Sequence, residues 1–388
     1  MRKSPKRYKE ILFLSVLIIT VSLFFFLPQI LTIHYVSDQK SNIVSSQKNE
    51  VVKVFAPSYV LTPDSVKGIY MTSWVASVPQ LRDKLIKIID ETELNTIVID
   101  IKDYTGNIFF PISSTELNSF GSGNSRIKDL QEVIENLHKK GIYVIGRIAV
   151  FQDAYFVKYR PDLAVKNKAG TSVWKDRKGI SWIDPGSEEY WKYIVLISRE
   201  SRKIGFDEIN LDYIRYPSDG NMKDISFPLS STTPKSVVLG EFFKYMSDHL
   251  FDSGLKISGD LFGMTTTASD DMGIGQLLET ALPHFDYIMP MVYPSHYPAN
   301  FNNYKNPAKH PYEVVKFAMQ SAVDRANLAS TSPLKFRPWL QDFDLGADYG
   351  PEEVRAQIKA TYDVGLNSWI LWSASNTYTE GALNKESI

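Results

Sequence analysis

The chain has 388 residues, 44% hydrophobic and 22% charged, an ordinary globular balance with length for one large domain or two smaller ones. A formal net charge of −1 argues against a broad nucleic-acid-binding surface, which needs a basic excess. Cysteine is absent, which excludes disulfides, thiolate metal sites and a lipid-modified cysteine. The histidines (His34, His138, His249, His284, His296, His310) show no ligand-like spacing, so neither a metal nor another cofactor is expected.

The first ten residues carry Arg2, Lys3, Lys6, Arg7 and Lys9, and an apolar run extends from Ile11 through Leu27 to Ile33. A span of about 20 apolar residues crosses a bilayer. The basic flank places residues 1–10 in the cytoplasm and the remainder of the chain outside. A cleaved signal peptide would carry a shorter apolar region, about 7–15 residues, with a small-residue cleavage site after it. No such site follows, so residues 11–33 read as an uncleaved transmembrane anchor and the protein as a single-pass, extracytoplasmic membrane protein. Residues 34–65 form a linker. It is polar from Ser37 to Glu50, and its more apolar end, Val51–Leu61, forms a strand or lies along the following domain. Pro57 and Pro63 oppose a helix there.

From Val66 onward short β-branched and aromatic runs alternate with amphipathic helical segments. The strands are expected at 67–71, 96–101, 142–148, 205–213, 256–261, 286–293, 335–340 and 368–372. Helices are expected near 78–93, 126–140, 187–203, around Phe242–Leu250, and near 311–326 and 351–364, with Gly141 and Gly365 as stop signals. Strands separated by helices of this length imply a parallel sheet with helical crossovers. Eight units in one chain of this size predict a single (β/α)₈ TIM barrel over residues 66–388. An open doubly wound sheet would announce itself with a Gly-rich turn after the first strand, and Tyr70-Met71-Thr72-Ser73-Trp74 is no such turn. Only a short stretch follows Trp372, so the eighth helix is expected to be short or missing.

Barrel active sites are built at the carboxyl ends of the strands, and polar groups collect there in this sequence. Strand one ends near Trp74, and strand two in Asp100, Lys102, Asp103 and Tyr104. Strand three carries Arg147 and ends near Gln152 and Asp153. Strand four carries Asp212, Arg215 and Tyr216, and strand five carries Asp260. Strand six ends in Tyr293, Ser295 and His296, strand seven in Trp339, Gln341 and Asp342, and strand eight in Trp372 and Asn376. Two long loops, 151–185 and 218–234, fall on this same face and suggest the walls of a cleft.

Several motifs carry a family resemblance: Lys67-Gly68-Ile69-Tyr70, Val98-Ile99-Asp100-Ile101-Lys102-Asp103, Trp182-Ile183-Asp184-Pro185-Gly186, Gly205-Phe206-Asp207 with Leu211-Asp212-Tyr213-Ile214-Arg215-Tyr216-Pro217, and Asp286 through Pro294. From about Val66 to Asn376 the chain resembles a family of glycoside hydrolase-type barrels found in exported bacterial proteins, distantly like the α-amylase type. The resemblance implies a nucleophilic Asp at the end of strand four, which is Asp212, and an acid/base Glu at the end of strand five. Here that second position is Asp260, a shorter side chain than the family pattern calls for.

Glycosidic cleavage needs one carboxyl group to protonate the departing oxygen and a second to attack or stabilise the oxocarbenium-like centre. Asp212 and Asp260, on neighbouring strands, can face one pocket in those roles. The plainer alternatives are a salt bridge from Asp212 to Arg215 or another barrel arginine, and a chain-turning role for Asp260. Asp100 and Asp103 could contribute a third acid and a hydroxyl ligand, or pair with Lys102 and Arg147. Lys102 could form a Schiff base or, beside two aspartates, an ion pair. Arg147 and Arg215 could orient carboxylates or bind an anionic substituent of a sugar. Trp74, Tyr216, Tyr293, Trp339 and Trp372 could stack on sugar rings or pack the core and rim. His296, Gln341 and Asp342 complete the expected substrate-binding set. The sequence thus predicts a glycoside hydrolase acting on a cell-surface, cell-wall or matrix polysaccharide. The competing reading is a polysaccharide-binding barrel without turnover.

Overall fold

A computed structural model describes residues 56–385. The expected anchor at 11–33 lies outside the described residues. Within them, no helix is long and apolar enough to cross a membrane.

Eight parallel strands close into a barrel in chain order: β1 (Lys67–Met71), β2 (Thr96–Lys102), β3 (Tyr143–Ala149), β4 (Glu208–Asp212), β5 (Lys256–Phe262), β6 (Tyr287–Met291), β7 (Trp339–Gln341) and β8 (Trp369–Trp372). Closure is made where β1 pairs with β8, Lys67 opposite Trp369 and Ile69 opposite Leu371. The covering helices are α1 (Pro79–Asp90), α2 (Leu130–Lys139), α3 (Glu188–Ile204), α4 (Lys235–Leu250), α5 (Leu278–Ala281), α6 (Pro311–Leu328) and α7 (Pro351–Asp363). The local signals behave as their chemistry requires. The Ser187 hydroxyl accepts from the Tyr190 amide at the start of α3, and Gly205 ends that helix with φ of 118°, a backbone conformation costly for any residue with a Cβ.

Three elements depart from a regular barrel. The crossover from β5 to β6 holds a 3₁₀ turn at Gly263–Thr266 and the single-turn α5 in place of a full helix. Strand β7 shortens to three residues, Trp339–Gln341, because Pro338 offers no amide and residues 333–335 turn as a 3₁₀ helix. Among the described residues no eighth helix forms. Beyond β8 there is only a 3₁₀ turn at Glu380–Ala382, after which the tail bonds back to the start of the barrel, Asn384 O accepting from Glu93 N at 2.9 Å.

Both faces of the strands are buried, as parallel sheets require. Outward-facing Ile69, Ile97, Ile99, Ile209 and Leu211 join the helices in one core, where burying each such side chain is worth about 1.5–3 kcal/mol. Inside the barrel a second cluster forms from Tyr70, Val98, Tyr143, Ile145, Met289, Tyr293, Trp339 and Ile370. At its lower end Glu208 Oε2 accepts from Tyr143 Oη at 2.9 Å and from Arg337 Nη1 at 2.8 Å, a buried ion pair on the barrel axis. Residues 57–65 form no strand and lie along the amino-terminal ends of the barrel. The Val60 amide donates to Asp207 Oδ1 at 2.9 Å and Thr62 Oγ1 to Tyr143 Oη at 3.1 Å.

Candidate active site

The alternation of β4 turns Ile209 and Leu211 towards the helices and Asn210 and Asp212 towards the barrel axis. The strand ends at Asp212 because Tyr213 takes a left-handed φ of 52°. That turn brings the Tyr213 amide to within 2.5 Å of Asp212 Oδ1. Such a backbone conformation is unfavourable for a bulky residue and is a local cost concentrated at the candidate site.

Arg147, on the neighbouring β3, organises the carboxylates. Its Nη1 donates to Asp100 Oδ1 at 2.6 Å, its Nη2 donates to Asp212 Oδ2, and its Nε lies 4.0 Å from Asp260 Oδ2 with no hydrogen-bond partner. The second oxygen of Asp100 accepts from the Tyr70 hydroxyl. Asp260 is held through Oδ1 alone, which accepts from Asn210 Nδ2 and from the Trp339 indole, each at 2.8 Å. Asp212 and Asp260 thus flank one guanidinium, Asp212 in hydrogen-bond contact and Asp260 Oδ2 at 4.0 Å.

The two carboxyl groups receive different treatment. Burial, then the charge of Asp212, pushes the Asp260 carboxyl well above its ordinary value, and Arg147 opposes this only in part. Burial therefore favours the neutral form of Asp260. With Oδ1 accepting two hydrogen bonds, the proton belongs on Oδ2. Asp212 faces the donating edge of Arg147 and is the ion-pair partner. Burial also raises Asp100, with Arg147 and the Tyr70 hydroxyl pulling the other way.

A cleft of about 180 Å³ opens over this pair, lined by Arg147, Asp212, Tyr213, Arg215, Asp260, Phe262, Met291, Tyr293, His296, Trp339 and Trp372. A more apolar pocket adjoins it and shares Phe262, Met291 and His296. A larger cavity of about 450 Å³ lies at the opposite end of the barrel, where Lys256 opens β5 and Asp286 and Lys335 precede β6 and β7, and holds none of these carboxylates. The Trp372 ring stacks on Tyr70 at 4.2 Å between centroids. The two long loops join into one wall: Lys166 and Ser226 exchange backbone hydrogen bonds at 2.8 and 3.0 Å, and Trp174 Nε1 reaches Asn221 O at 3.1 Å.

The expected site residues divide between the cleft and its supports. Asp212, Asp260, Arg147, Arg215, Tyr293, His296 and Trp372 come together in the cleft, and Asp100 sits immediately behind Arg147. Trp339 lines the cleft but is fully buried and holds Asp260 through its indole nitrogen. Trp74 stands on the rim, 66% exposed, with the Arg126 guanidinium 3.7 Å above its ring.

Lys102 is elsewhere. A bulge sets Asp100 opposite Arg147 and Lys102 opposite outward-facing Ile148, which rotates the lysine away from the axis. There it pairs with Asp153 at 2.9 Å, both side chains being fully buried, and donates to Ala149 O at 2.5 Å. Asp103 caps its own turn, accepting from the Thr105 amide at 2.9 Å and hydroxyl at 2.5 Å. The Tyr216 hydroxyl donates to Ser230, which in turn donates to Asp184. Gln341 accepts from the Ser295 amide at 3.1 Å and donates to Phe343 O at 2.9 Å. Asp342 holds Thr379 by amide and hydroxyl. These five shape the loops around the cleft, and none is among the residues lining it.

The sequence reading did not single out Tyr70, Asn210, Phe262 or Met291. Asn210 was within reach of strand alternation, two positions before Asp212. Phe262 and Met291 carry no polar signal, and only barrel closure places them at the cleft. Among the described residues no group of three or more His, Cys, Asp or Glu side chains is arranged to hold a metal ion.

A closed parallel barrel with paired carboxyl groups at the carboxyl ends of adjacent strands has the architecture and chemistry of a barrel glycosidase. The chain belongs to the family described as "putative glycosyl hydrolase domain", whose model matches residues 68–378. Among solved structures, the glycoside hydrolase domain of PgaB (BpsB) from Bordetella bronchiseptica is 12% identical with a TM-score of 0.56, covering 83% of this chain and 100% of that one. An inactive mutant of a GH20 exo-β-N-acetylglucosaminidase from Vibrio harveyi is 12% identical with a TM-score of 0.52, covering 83% of this chain and 54% of that one. At these identities the likeness is one of fold. A hypothetical protein from Ruminiclostridium thermocellum is 31% identical over 50% of this chain and 96% of its own, with a TM-score of 0.45. No curated protein matches the sequence.

Proposed function

We propose that this glycosidase cleaves a cell-surface, cell-wall or matrix polysaccharide with Asp260 as general acid and Asp212 as nucleophile or charge stabiliser. The observation that carries the reading is the unequal treatment of two adjacent carboxyl groups by one guanidinium. Arg147 donates to Asp212 and leaves Asp260 buried, with its carboxyl pushed towards the neutral form. Two carboxyl groups whose environments drive their protonation apart are the arrangement acid-assisted glycosidic cleavage requires. Asp260 Oδ2 delivers its proton to the departing oxygen, and Asp212 faces the positive charge that develops on the sugar. The shorter Asp side chain at the acid position is offset by Asn210 and Trp339, which fix Oδ1 and leave Oδ2 to the cleft.

The amino-terminal apolar run supports a single-pass anchor with the barrel outside the cytoplasm. Residues 57–65 meet the barrel at the end opposite the cleft. The test is reducing-end release from a panel of surface polysaccharides by the full chain in detergent, beside Asp212→Asn. Release that the substitution abolishes supports the assignment. Binding without release, unchanged in Asp212→Asn, would establish the binding-barrel reading instead.

A further inference from the structure

Two arginines line the cleft, and their surroundings differ. Arg147 is fully engaged on its Nη edges by Asp100 and Asp212. Arg215, three residues beyond Asp212, has no carboxylate within 4.0 Å among the described residues. Its recorded hydrogen bonds both run from Nη1, to Tyr216 O at 3.0 Å and to the Ser218 hydroxyl at 3.2 Å. The Nε–Nη2 edge, the side of the fork that grips a carboxylate with two parallel bonds, is uncommitted.

The guanidinium is also held in place. It lies 4.9 Å from the Trp182 ring, 4.7 Å from Phe262 and 5.5 Å from Tyr213. Those rings fix its plane but provide no negative counter-charge, and loss of hydration pulls Arg215 below the ordinary guanidinium value. Asp212, Asp219 and Asp176 act on it only from beyond contact distance, and a desolvated, oriented cation with no carboxylate in contact, lining a cleft beside the catalytic pair, is a recognition element awaiting its partner.

We infer that Arg215 binds a carboxylate carried by the substrate, and that the polysaccharide cleaved here is acidic, with a carboxyl-bearing sugar next to the scissile bond. This rests on the glycosidase reading and narrows its substrate class. The carboxylate could belong to a uronic acid or to an ether- or ketal-linked acid on a neutral sugar. Both present the same planar anion to the fork. Arg147 supplies no competing seat, because its accessible edges are already occupied by Asp100 and Asp212.

The test uses the full chain in detergent, with Asp212→Asn in the background so that binding is read without turnover. The probes are oligosaccharides from polyuronates and from a lactyl-ether cell-wall glycan, each beside its carboxyl-reduced form, in which the acid becomes a neutral hydroxymethyl group. Charge-assisted hydrogen bonds of this kind predict about 10- to 100-fold tighter binding of at least one acidic probe over its reduced form. Arg215→Gln should abolish that preference by weakening the acidic form far more than the reduced form, and Arg215→Lys should retain part of it. Which acidic probe shows the preference distinguishes the two carboxylate sources. Equal binding of every acidic and reduced pair overturns the inference, as does an Arg215→Gln variant that weakens both forms alike. A preserved acidic preference without turnover in the unsubstituted chain would refute the glycosidase reading and leave the Arg215 site standing.

Discussion

The substitution Asp260→Asn separates the catalytic account from a purely structural one, because it preserves shape and removes the proton. Its side-chain oxygen still accepts from Asn210 and Trp339, and Arg147 keeps Asp100 and Asp212. Loss of a general acid costs about 10²–10⁴-fold in kcat. In the unsubstituted enzyme, activity falls as pH rises through the raised pKa of Asp260, and the variant should lose that limb. Stability falls with rising pH as well. A carboxyl group whose folded pKa is raised binds more protons folded than unfolded, so stability declines as pH climbs from its ordinary value, 3.8, towards the folded value. Each pH unit inside that window removes about 1.4 kcal/mol. The variant carries no such penalty and should gain melting temperature relative to the unsubstituted protein as pH rises from acidic to neutral, then keep a constant advantage. Thermal unfolding across pH and initial rates on one substrate suffice as assays. A variant with full activity, or a melting difference independent of pH, would refute the assignment of a buried, protonated acid.

Arg147→Met should strand Asp100 and Asp212 without their cation, costing about 3–5 kcal/mol in urea-induced unfolding together with loss of activity. Lys102→Met should destabilise by a similar amount by orphaning Asp153, and a second change, Asp153→Asn, should recover most of it; KM of the folded fraction should stay unchanged throughout, since neither residue lines the cleft. Gly106→Ala should unfold at lower urea, because a Cβ there would stand 1.9 Å from Asp153 Oδ1 on a backbone with φ of 83°. The proposed anchor predicts that protein extracted from membranes with detergent has the intact mass including residues 1–33, and that alkaline carbonate does not release it.

Barrel organisation was legible in the sequence because it is written in local periodicity. Eight apolar runs with their helices, and the glycine stops at Gly141 and Gly365, depend on spacing and backbone preference alone. The polar tip of the fourth strand was equally visible, since Asn210 and Asp212 fall on one face by alternation.

Which polar residues share a cleft was a different matter. Lys102 and Asp100 are two positions apart and should point the same way. The bulge between them, which exists only against β3, sends one into the helical layer and leaves the other on Arg147. Tyr216, Gln341 and Asp342 sit at strand ends, yet they satisfy loop backbones and hydroxyls whose positions no local rule specifies. The division of labour between the two arginines was also beyond the sequence, which offered the same two roles for both. Pairing depends on which carboxylates barrel closure brings within reach, and closure supplied two for Arg147 and none for Arg215. Sequence determined the strand, the helix and the face each residue occupies. Tertiary structure decided the company each charge keeps, because protonation and pairing depend on burial and on neighbours distant along the chain.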